Sequence, residues 1–223
     1  DIAARFQAQE GQLFNRVYTK VLPNEQATRT EIIRGLRWLR ENTKQGDVVM
    51  LYLSGHGGLD GKQNYFFYAH EHDANEEPEL FDVKWSTLLD GLTEVNGTKP
   101  FLFIDSCRAA AASGNTKQGG GGLTQALKEL KSNYKGVVFF AASSNDEKAE
   151  ELRDKGHGAF TWALLEGLSG HPEVISGGGL VYVDKLGSWL TQRVLALTNN
   201  RQHATFELPP GFKTFAFYVV PKR

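Results

Sequence analysis

The 223-residue sequence has little cysteine, no excess of charge of either sign and no long hydrophobic run. Its single cysteine excludes an internal disulfide and a multi-cysteine zinc site. The net charge of −1 gives no electrostatic reason to expect nucleic acid or an anionic membrane as a partner. The longest apolar runs are too short to span a bilayer, and the N-terminus lacks the pattern of a signal peptide. We therefore expect a cytoplasmic protein.

The remaining composition is that of an ordinary globular chain, with 40% hydrophobic and 23% charged residues, and the length predicts one α/β domain. Short apolar runs predict strands that are buried on both faces. The predicted strands cover residues 14–22, 47–54, 65–68, 100–104, 136–142, 204–208 and 214–220. Helices are predicted at residues 1–10, 28–39, 83–95 (with Asp82 as the cap), 158–168 and 183–197. The alternation predicts a mostly parallel sheet with helices on both faces.

Residues 109–123 form the one low-complexity stretch, which includes four consecutive glycines at 119–122. Such a composition cannot pack a core. We expect this segment to be an exposed, mobile loop.

Two of the apolar runs lead into polar sequence that contains the candidate chemistry. The first continues into SGHGG at residues 54–58, and the second into DSCR at residues 105–108. The carboxyl ends of neighbouring parallel strands meet at one edge of a sheet, so His56 and Cys107 are expected to meet there. An imidazole favours the thiolate and can later protonate a leaving amine. The glycine N–H groups beside His56 are candidate donors to an oxyanion.

Each of these residues also has a structural interpretation. A lone cysteine after a strand is usually a small buried hydrophobic residue, and a histidine between glycines is usually a turn residue. The occurrence of both, each after a buried strand, weakens the structural interpretation and leaves it with the same weight as a Cys–His hydrolase.

The motifs at these positions resemble those of the caspase-like cysteine peptidases, and the prokaryotic orthocaspases or bacterial metacaspases most of all. The matching segments are LSGHG at 53–57, FIDSC at 103–107, AASS at 141–144, GAFT at 158–161 and QHA at 202–204. The distance from His56 to Cys107 also agrees with the roughly 50 residues typical of caspases.

The resemblance implies an αβα sandwich with a mostly parallel central sheet, spanning residues 1–223 as one domain. A large-subunit-like part would cover about residues 1–112, the Gly-rich loop about 113–122, and a small-subunit-like part about 123–223. It also implies His56 as base and acid, Cys107 as nucleophile, and the backbone amides of Gly57 and Cys107 as the oxyanion hole. Relatives open with a central strand that this sequence lacks. We expect either that the sequence is a processed or truncated piece of a longer protein, with additional domains or regulators, or that another segment supplies the strand.

The candidate specificity residues are acidic. Caspases have a glutamine two residues before the nucleophile, where this sequence has Asp105. The loop after the strand at 136–142 adds Asp146, Glu150 and Glu151, although runs of loop acids are often only solvated surface. An acidic pocket attracts arginine or lysine. We therefore expect protein or peptide substrates that contain basic residues.

A basic preference makes basic residues near the junction of the two parts candidates for self-cleavage. These candidates are Lys117, Arg108, Lys128 and Lys131. Arg108 has two further interpretations of equal weight, since it either favours the thiolate or pairs with an acid elsewhere.

No metal or cofactor is required by the predicted chemistry. His70, Glu71, His72 and Asp73 alternate too closely to supply convergent metal ligands. The acidic segment 71–79 lacks the ordered spacing of an EF-hand, so no calcium-binding motif supports activation by calcium. The alternative to an enzyme is a catalytically silent caspase-like module that binds or regulates. Such a module would be expected to lose His56 or Cys107, and both are present.

Overall fold

The computed structural model describes residues 1–62, 64–94, 96–108, 122–134, 136–143, 147 and 149–221, apart from the side chains at 107, 108 and 122–125. Its helices are α1 (Ile2–Gln7), α2 (Arg29–Glu41), α3 (Pro78–Phe81), α4 (Trp85–Thr93), α5 (Gly122–Asn133), α6 (Ala159–Leu168) and α7 (Val183–Leu197). Its strands are β1 (Val48–Leu59), β2 (Tyr65–Tyr68), β3 (Val83–Lys84), β4 (Lys99–Arg108), β5 (Val138–Ala141), β6 (Glu151–Leu152), β7 (His157–Gly158), β8 (Ile175–Ser176), β9 (Leu180–Tyr182), β10 (Thr205–Glu207) and β11 (Ala216–Val219).

The main sheet is mixed, with a parallel centre. Its strand order is β10-β5-β4-β1-β2-β3. Strands β5, β4 and β1 are parallel, whereas β10, β2 and β3 are added antiparallel at the two sides. The last predicted strand, β11, belongs to a separate three-stranded sheet with β9 and β8. The α/β fold with a mostly parallel centre is thus confirmed.

Each face of the sheet has its own hydrophobic core, which makes three layers. On one face, α1, α6 and α7 pack on Phe101, Phe103 and Phe140. On the other face, α2, α4 and α5 pack on Leu102 and Phe139 and their neighbours. These strand residues are at most 1% exposed. Their continuous apolar sequence is therefore explained by burial on both faces, and the αβα sandwich is confirmed.

Two predicted helix starts have different outcomes. The Thr28 hydroxyl accepts a hydrogen bond from the N–H of Glu31 at 3.2 Å, so the predicted cap of α2 is confirmed. The prediction that Asp82 caps the next helix is wrong, because α4 begins later, after β3, with Lys84 at its N-cap. The Asp82 carboxylate instead accepts from the Ala69 N–H at 3.0 Å.

The predicted strand at 14–22 is wrong. This segment is extended beside the sheet but forms only one isolated bridge, between Glu10 and Phe14. Its side chains alternate too little between buried and exposed, and Tyr18 and Val21 stay 63% and 59% exposed. The part of β1 before His56 pairs with β4 alone among the described strands, and a cleft separates its other edge from residues 15–22.

Two elements differ from the prediction in extent. Helix α5 was missed, because the neighbouring Gly-rich sequence dominates its first turn. The predicted mobile loop at 109–123 falls almost entirely outside the described residues. Within the described parts of the chain, no helix is both long and apolar enough to cross a membrane.

Candidate active site

His56 and Cys107 are direct neighbours on adjacent strands. The parallel pairing of β1 with β4 places His56 opposite Cys107, and the next pair is Gly57 with Arg108. Neighbouring strands lie about 4.8 Å apart, so the two backbones are brought side by side. The prediction that both residues follow the strands is wrong in detail, because β1 continues to Leu59 and β4 to Arg108.

The hairpin with β2 explains why β1 continues past His56. His56 pairs with Tyr68 and Leu59 with Tyr65, so the polar segment is held as strand on that side. Asp60 closes the hairpin by accepting hydrogen bonds from the N–H groups of Lys62 and Asn64, at 2.8 and 2.7 Å. These bonds also hold the pKa of Asp60 below its usual value, against the opposing effect of burial.

The glycines after His56 are required by tyrosines on β2. A Cβ atom at Gly57 would lie 2.2 Å from the Tyr65 hydroxyl, and one at Gly58 would lie 2.1 Å from the Tyr68 hydroxyl. The Tyr65 hydroxyl is also 3.3 Å from the Ser106 hydroxyl, one residue before the cysteine. The tight glycine sequence therefore has a packing reason beside the predicted oxyanion role, which stays a prediction.

Asp105 is buried beside the start of α6. Its carboxylate accepts a hydrogen bond from the Thr161 hydroxyl, which is itself hydrogen-bonded to the Tyr52 hydroxyl. Gly158 leaves the space that the carboxylate occupies, because a Cβ there would lie 3.2 Å from Oδ2. Sequence reasoning found Asp105 but missed Thr161 and Tyr52, although Thr161 is in the quoted GAFT segment.

Burial raises the pKa of the Asp105 carboxyl above its usual range, chiefly because the charged form is desolvated. The Thr161 hydrogen bond opposes this rise, whereas the charge of Glu151 adds to it. Burial and the nearby Asp105 likewise raise the pKa of the Tyr52 hydroxyl far above its usual value. The two acids and the tyrosine therefore form one electrostatic group.

One cleft connects the histidine with this acidic group. The cleft is large, about 1190 Å³ in total, because it also runs along the edge of β1 that pairs with no described strand, beside residues 13–24. The residues from the candidate site that line it are Tyr52, Ser54, His56, Asp105, Glu151, His157, Gly158 and Thr161. The sheet face that carries Asp105 therefore opens on the same cleft as His56.

The other predicted acids have different positions. The Glu150 carboxylate makes a two-bond ion pair with Arg201, at 2.9 and 2.8 Å, and does not line this cleft. Arg201 accordingly holds the pKa of Glu150 below its usual value. Asp146 lies outside the described residues. Of the loop acids, the structure therefore brings only Glu151 to Asp105 among the residues it describes.

The predicted cleavage residues are dispersed. Lys117 lies outside the described residues, and the backbone of Arg108 ends β4. Lys128 and Lys131 lie in α5, where the Lys131 ammonium pairs with Glu207 at 2.8 Å. Cleavage in α5 would therefore require the helix to unwind.

The histidines of the acidic segment have structural partners. His72 Nδ1 lies 2.7 Å from the buried Asp82 carboxylate, and the His72 ring stacks on Tyr68 at 3.6 Å between centroids. Burial raises the pKa of Asp82, and the hydrogen bond from His72 opposes that rise. Across the described portion of the chain, no three acid, histidine or cysteine side chains converge as metal ligands.

Known proteins share this fold. Residues 11–192 match the family model of the caspase domain. Metacaspase-1 of Plasmodium falciparum (isolate 3D7) is 28% identical over 99 residues, which cover 40% of this chain and 16% of that protein. A solved protein structure from Geobacter sulfurreducens has the same fold, with a TM-score of 0.62 at 14% identity, covering 99% of this chain and 86% of that one. The family match extends over most of the sheet and both candidate strands, and the chain belongs to the caspase-domain family of cysteine peptidases.

Proposed function

We propose that this chain is a cysteine endopeptidase that cleaves peptide bonds after arginine or lysine, with Cys107 as nucleophile and His56 as base and acid. The observation that carries the proposal is the pairing of His56 with Cys107 on adjacent parallel strands, with Asp105 two residues before the cysteine. The cleft that both His56 and Asp105 line supports it.

The proposed reaction has two halves. The Cys107 thiol gives its proton to His56, and the sulfur attacks the scissile carbonyl carbon. Backbone N–H groups of Gly57 and Cys107 stabilise the negative oxygen. The imidazolium then protonates the leaving amine as the C–N bond breaks, which leaves an acyl-enzyme. Water, deprotonated by His56, hydrolyses the thioester and restores the thiol.

The proposed specificity comes from the acids at one side of the cleft. Asp105 and Glu151 line the same cleft, and the Glu151 charge raises the pKa of Asp105. A substrate cation between them relieves this repulsion, whereas an aspartate side chain would add to it. Arginine gains most, because its planar guanidinium can bond to a carboxylate through two N–H groups.

The proposed chemistry needs a reduced thiol and an imidazole, both of which the chain supplies. A reducing compartment such as the cytoplasm keeps a thiol of this kind active. No step in it is assigned to a metal. Calcium is nevertheless included as a variable in the assay, because an acidic segment such as 71–79 attracts hard cations.

The test is cleavage of arginyl, lysyl and aspartyl fluorogenic peptides side by side under reducing conditions, with and without calcium. We expect cleavage of the first two and none by the Cys107→Ala variant. Equal activity in that variant would remove Cys107 from its role, and a preference for the aspartyl peptide would overturn the specificity. Absence of all cleavage would favour the silent binding module.

A further inference from the structure

We infer that Thr161 and Tyr52 are positioning residues for basic-substrate recognition: they hold Asp105 ionised, with one carboxylate oxygen engaged and the other turned to the substrate cation. This inference rests on the proposed function, because it assigns Asp105 to the substrate. It names two residues outside the family motifs on which the dyad rests.

The direction of the hydrogen bonds follows from the charge of Asp105. An ionised carboxylate only accepts, so the single hydroxyl proton of Thr161 must point to Asp105 Oδ2. The Thr161 oxygen is then free to accept from the Tyr52 hydroxyl, which also hydrogen-bonds Asp105 directly. An ionised Asp105 fixes the Thr161 proton in this direction, whereas a neutral carboxyl could also donate to Thr161.

The start of α6 reinforces this arrangement. Gly158 is the N-cap of α6 and provides no side-chain cap, while Thr161 is the third helical residue. The Thr161 backbone N–H also hydrogen-bonds Asp105. A carboxylate at this end of a helix is stabilised by the unpaired N–H groups and the helix dipole. Asp105 thus takes the place of the missing cap, from a different strand.

Burial makes these contacts necessary. Asp105 is only 9% exposed, and desolvation together with Glu151 favours its neutral form. A neutral Asp105 carboxyl would no longer attract a guanidinium by its charge. Its own proton would also occupy an oxygen that otherwise accepts hydrogen bonds. The two hydrogen bonds from Thr161 oppose this neutralisation, so substrate affinity depends on Thr161 through the charge of Asp105.

The deciding experiment measures binding without catalysis. In a Cys107→Ala background, calorimetry follows the binding of an arginyl peptide and of agmatine, a minimal guanidinium probe. We expect Thr161→Val to weaken both about 10- to 100-fold, the range for losing a hydrogen bond to a charged group, and Tyr52→Phe to weaken them about 2- to 10-fold. Thr161→Ser keeps the hydroxyl and should restore affinity.

Matched variants separate positioning from general damage. Thr191→Val removes a hydroxyl that bonds the Ser188 carbonyl in α7, and Tyr134→Phe removes one that bonds Asp90, both away from the cleft. We expect unchanged binding in these two. In Thr161→Val, the loss of the hydroxyl donor raises the pKa of Asp105 further, so the pH midpoint of agmatine binding should move upward. A structural role alone would leave that midpoint in place.

The outcomes distinguish the two proposals. If Thr161→Val and Thr161→Ser bind agmatine as tightly as the parent, and thermal melting shows both folded, the positioning role is overturned. If agmatine binds in an Asp105-dependent manner but no peptide is cleaved by the intact chain, the positioning role stands and the peptidase proposal fails. If agmatine does not bind the parent at all, the positioning role is overturned, whatever the intact chain cleaves.

Discussion

His56 on β1 and Cys107 on β4 occupy the same level of two adjacent parallel strands. In this arrangement the sheet itself sets the distance between their backbones, because strand spacing is fixed by the hydrogen bonds. A dyad built in this way depends little on loop conformation. The dyad, the glycines beside it, the acids of the cleft and self-cleavage can each be tested separately.

The dyad predicts coupled effects on thiol reactivity. If His56 stabilises the thiolate, His56→Ala should slow alkylation of Cys107 by iodoacetamide at neutral pH and move its pH midpoint up to that of an ordinary thiol, about 8.5. Cleavage should fall about 10²- to 10⁴-fold with the loss of acid–base catalysis. The control is His171→Ala, because His171 contacts the Trp189 ring at 5.0 Å between centroids and does not line the cleft. A loss in this variant equal to that in His56→Ala would contradict the assignment.

The glycine after the dyad predicts a stability effect. A Cβ atom at Gly58 would lie 2.1 Å from the Tyr68 hydroxyl, so Gly58→Ala should lower the free energy of unfolding by about 1–3 kcal/mol, as overpacking does. Removing the hydroxyl with Tyr68→Phe should recover part of the loss. Gly61→Ala, where nothing lies within 4 Å, is the matched control in denaturant unfolding. If Gly58→Ala and Gly61→Ala are equally stable, the hairpin can adjust to the extra methyl group at Gly58 without cost.

Asp105 predicts a pH dependence of substrate affinity. Since burial raises its pKa, the carboxylate becomes neutral at a higher pH than an ordinary aspartate does. KM for an arginyl peptide should therefore rise as pH falls through that pKa, and Asp105→Asn should have a high KM with no such inflection. Alkylation of Cys107 should continue in this variant. An unchanged inflection in Asp105→Asn would assign it to another group.

The same shift predicts how stability changes with pH. Because the folded state raises the Asp105 pKa, the contribution of Asp105 to the free energy of unfolding is greatest at low pH and is lost as pH rises through the folded value. The Asp105→Asn variant cannot ionise at this position, so its free energy of unfolding should not decrease in this pH range. The relative stability of Asp105→Asn against the parent should thus increase from acid to neutral pH in urea unfolding, and a difference that stays constant would contradict the shift.

Glu151 and Glu150 are a matched pair for the specificity proposal. Glu151 lines the cleft and interacts with Asp105, whereas Glu150 is paired with Arg201. Glu151→Gln should weaken cleavage after arginine and also lower the pKa of Asp105, which moves the KM inflection to lower pH. Glu150→Gln should do neither. The same loss in both variants would indicate a general effect of loop charge.

Self-cleavage is predicted at Lys117 and not in α5. Peptidases bind extended backbone, and Lys128 and Lys131 are helical. Mass spectrometry of the purified chain over time should show fragments that end at Lys117, and none in Lys117→Gln or Cys107→Ala. Cleavage at Lys131 in Lys117→Gln would show that α5 unwinds, and cleavage that persists in Cys107→Ala would identify a contaminating enzyme.

Much of the fold followed from local signals. The apolar runs of β4 and β5 predicted buried strands because every residue there meets a core on one face or the other. The predicted strand at 14–22 does not form, because a cleft separates this segment from the edge of β1 that pairs with no described strand. Helix α5 escaped prediction because the glycine run that ends at its first residue, Gly122, suggested a loop, although Ala126 and Leu130 face the core.

The sequence by itself determined which chemistry is available: one thiol, one histidine in a glycine-rich segment, and an aspartate two residues before the cysteine. Only the tertiary structure decided how these groups are supported. The pairing of β1 with β4 is a long-range contact, and the meeting of Asp105 with Thr161 depends on where α6 begins relative to the sheet. Glu150 and Glu151 are adjacent acids that the sequence does not distinguish. In the structure, Glu150 pairs with Arg201 and Glu151 lines the cleft. These side-chain positions depend on packing between segments that are distant in sequence, so a local sequence pattern cannot predict them.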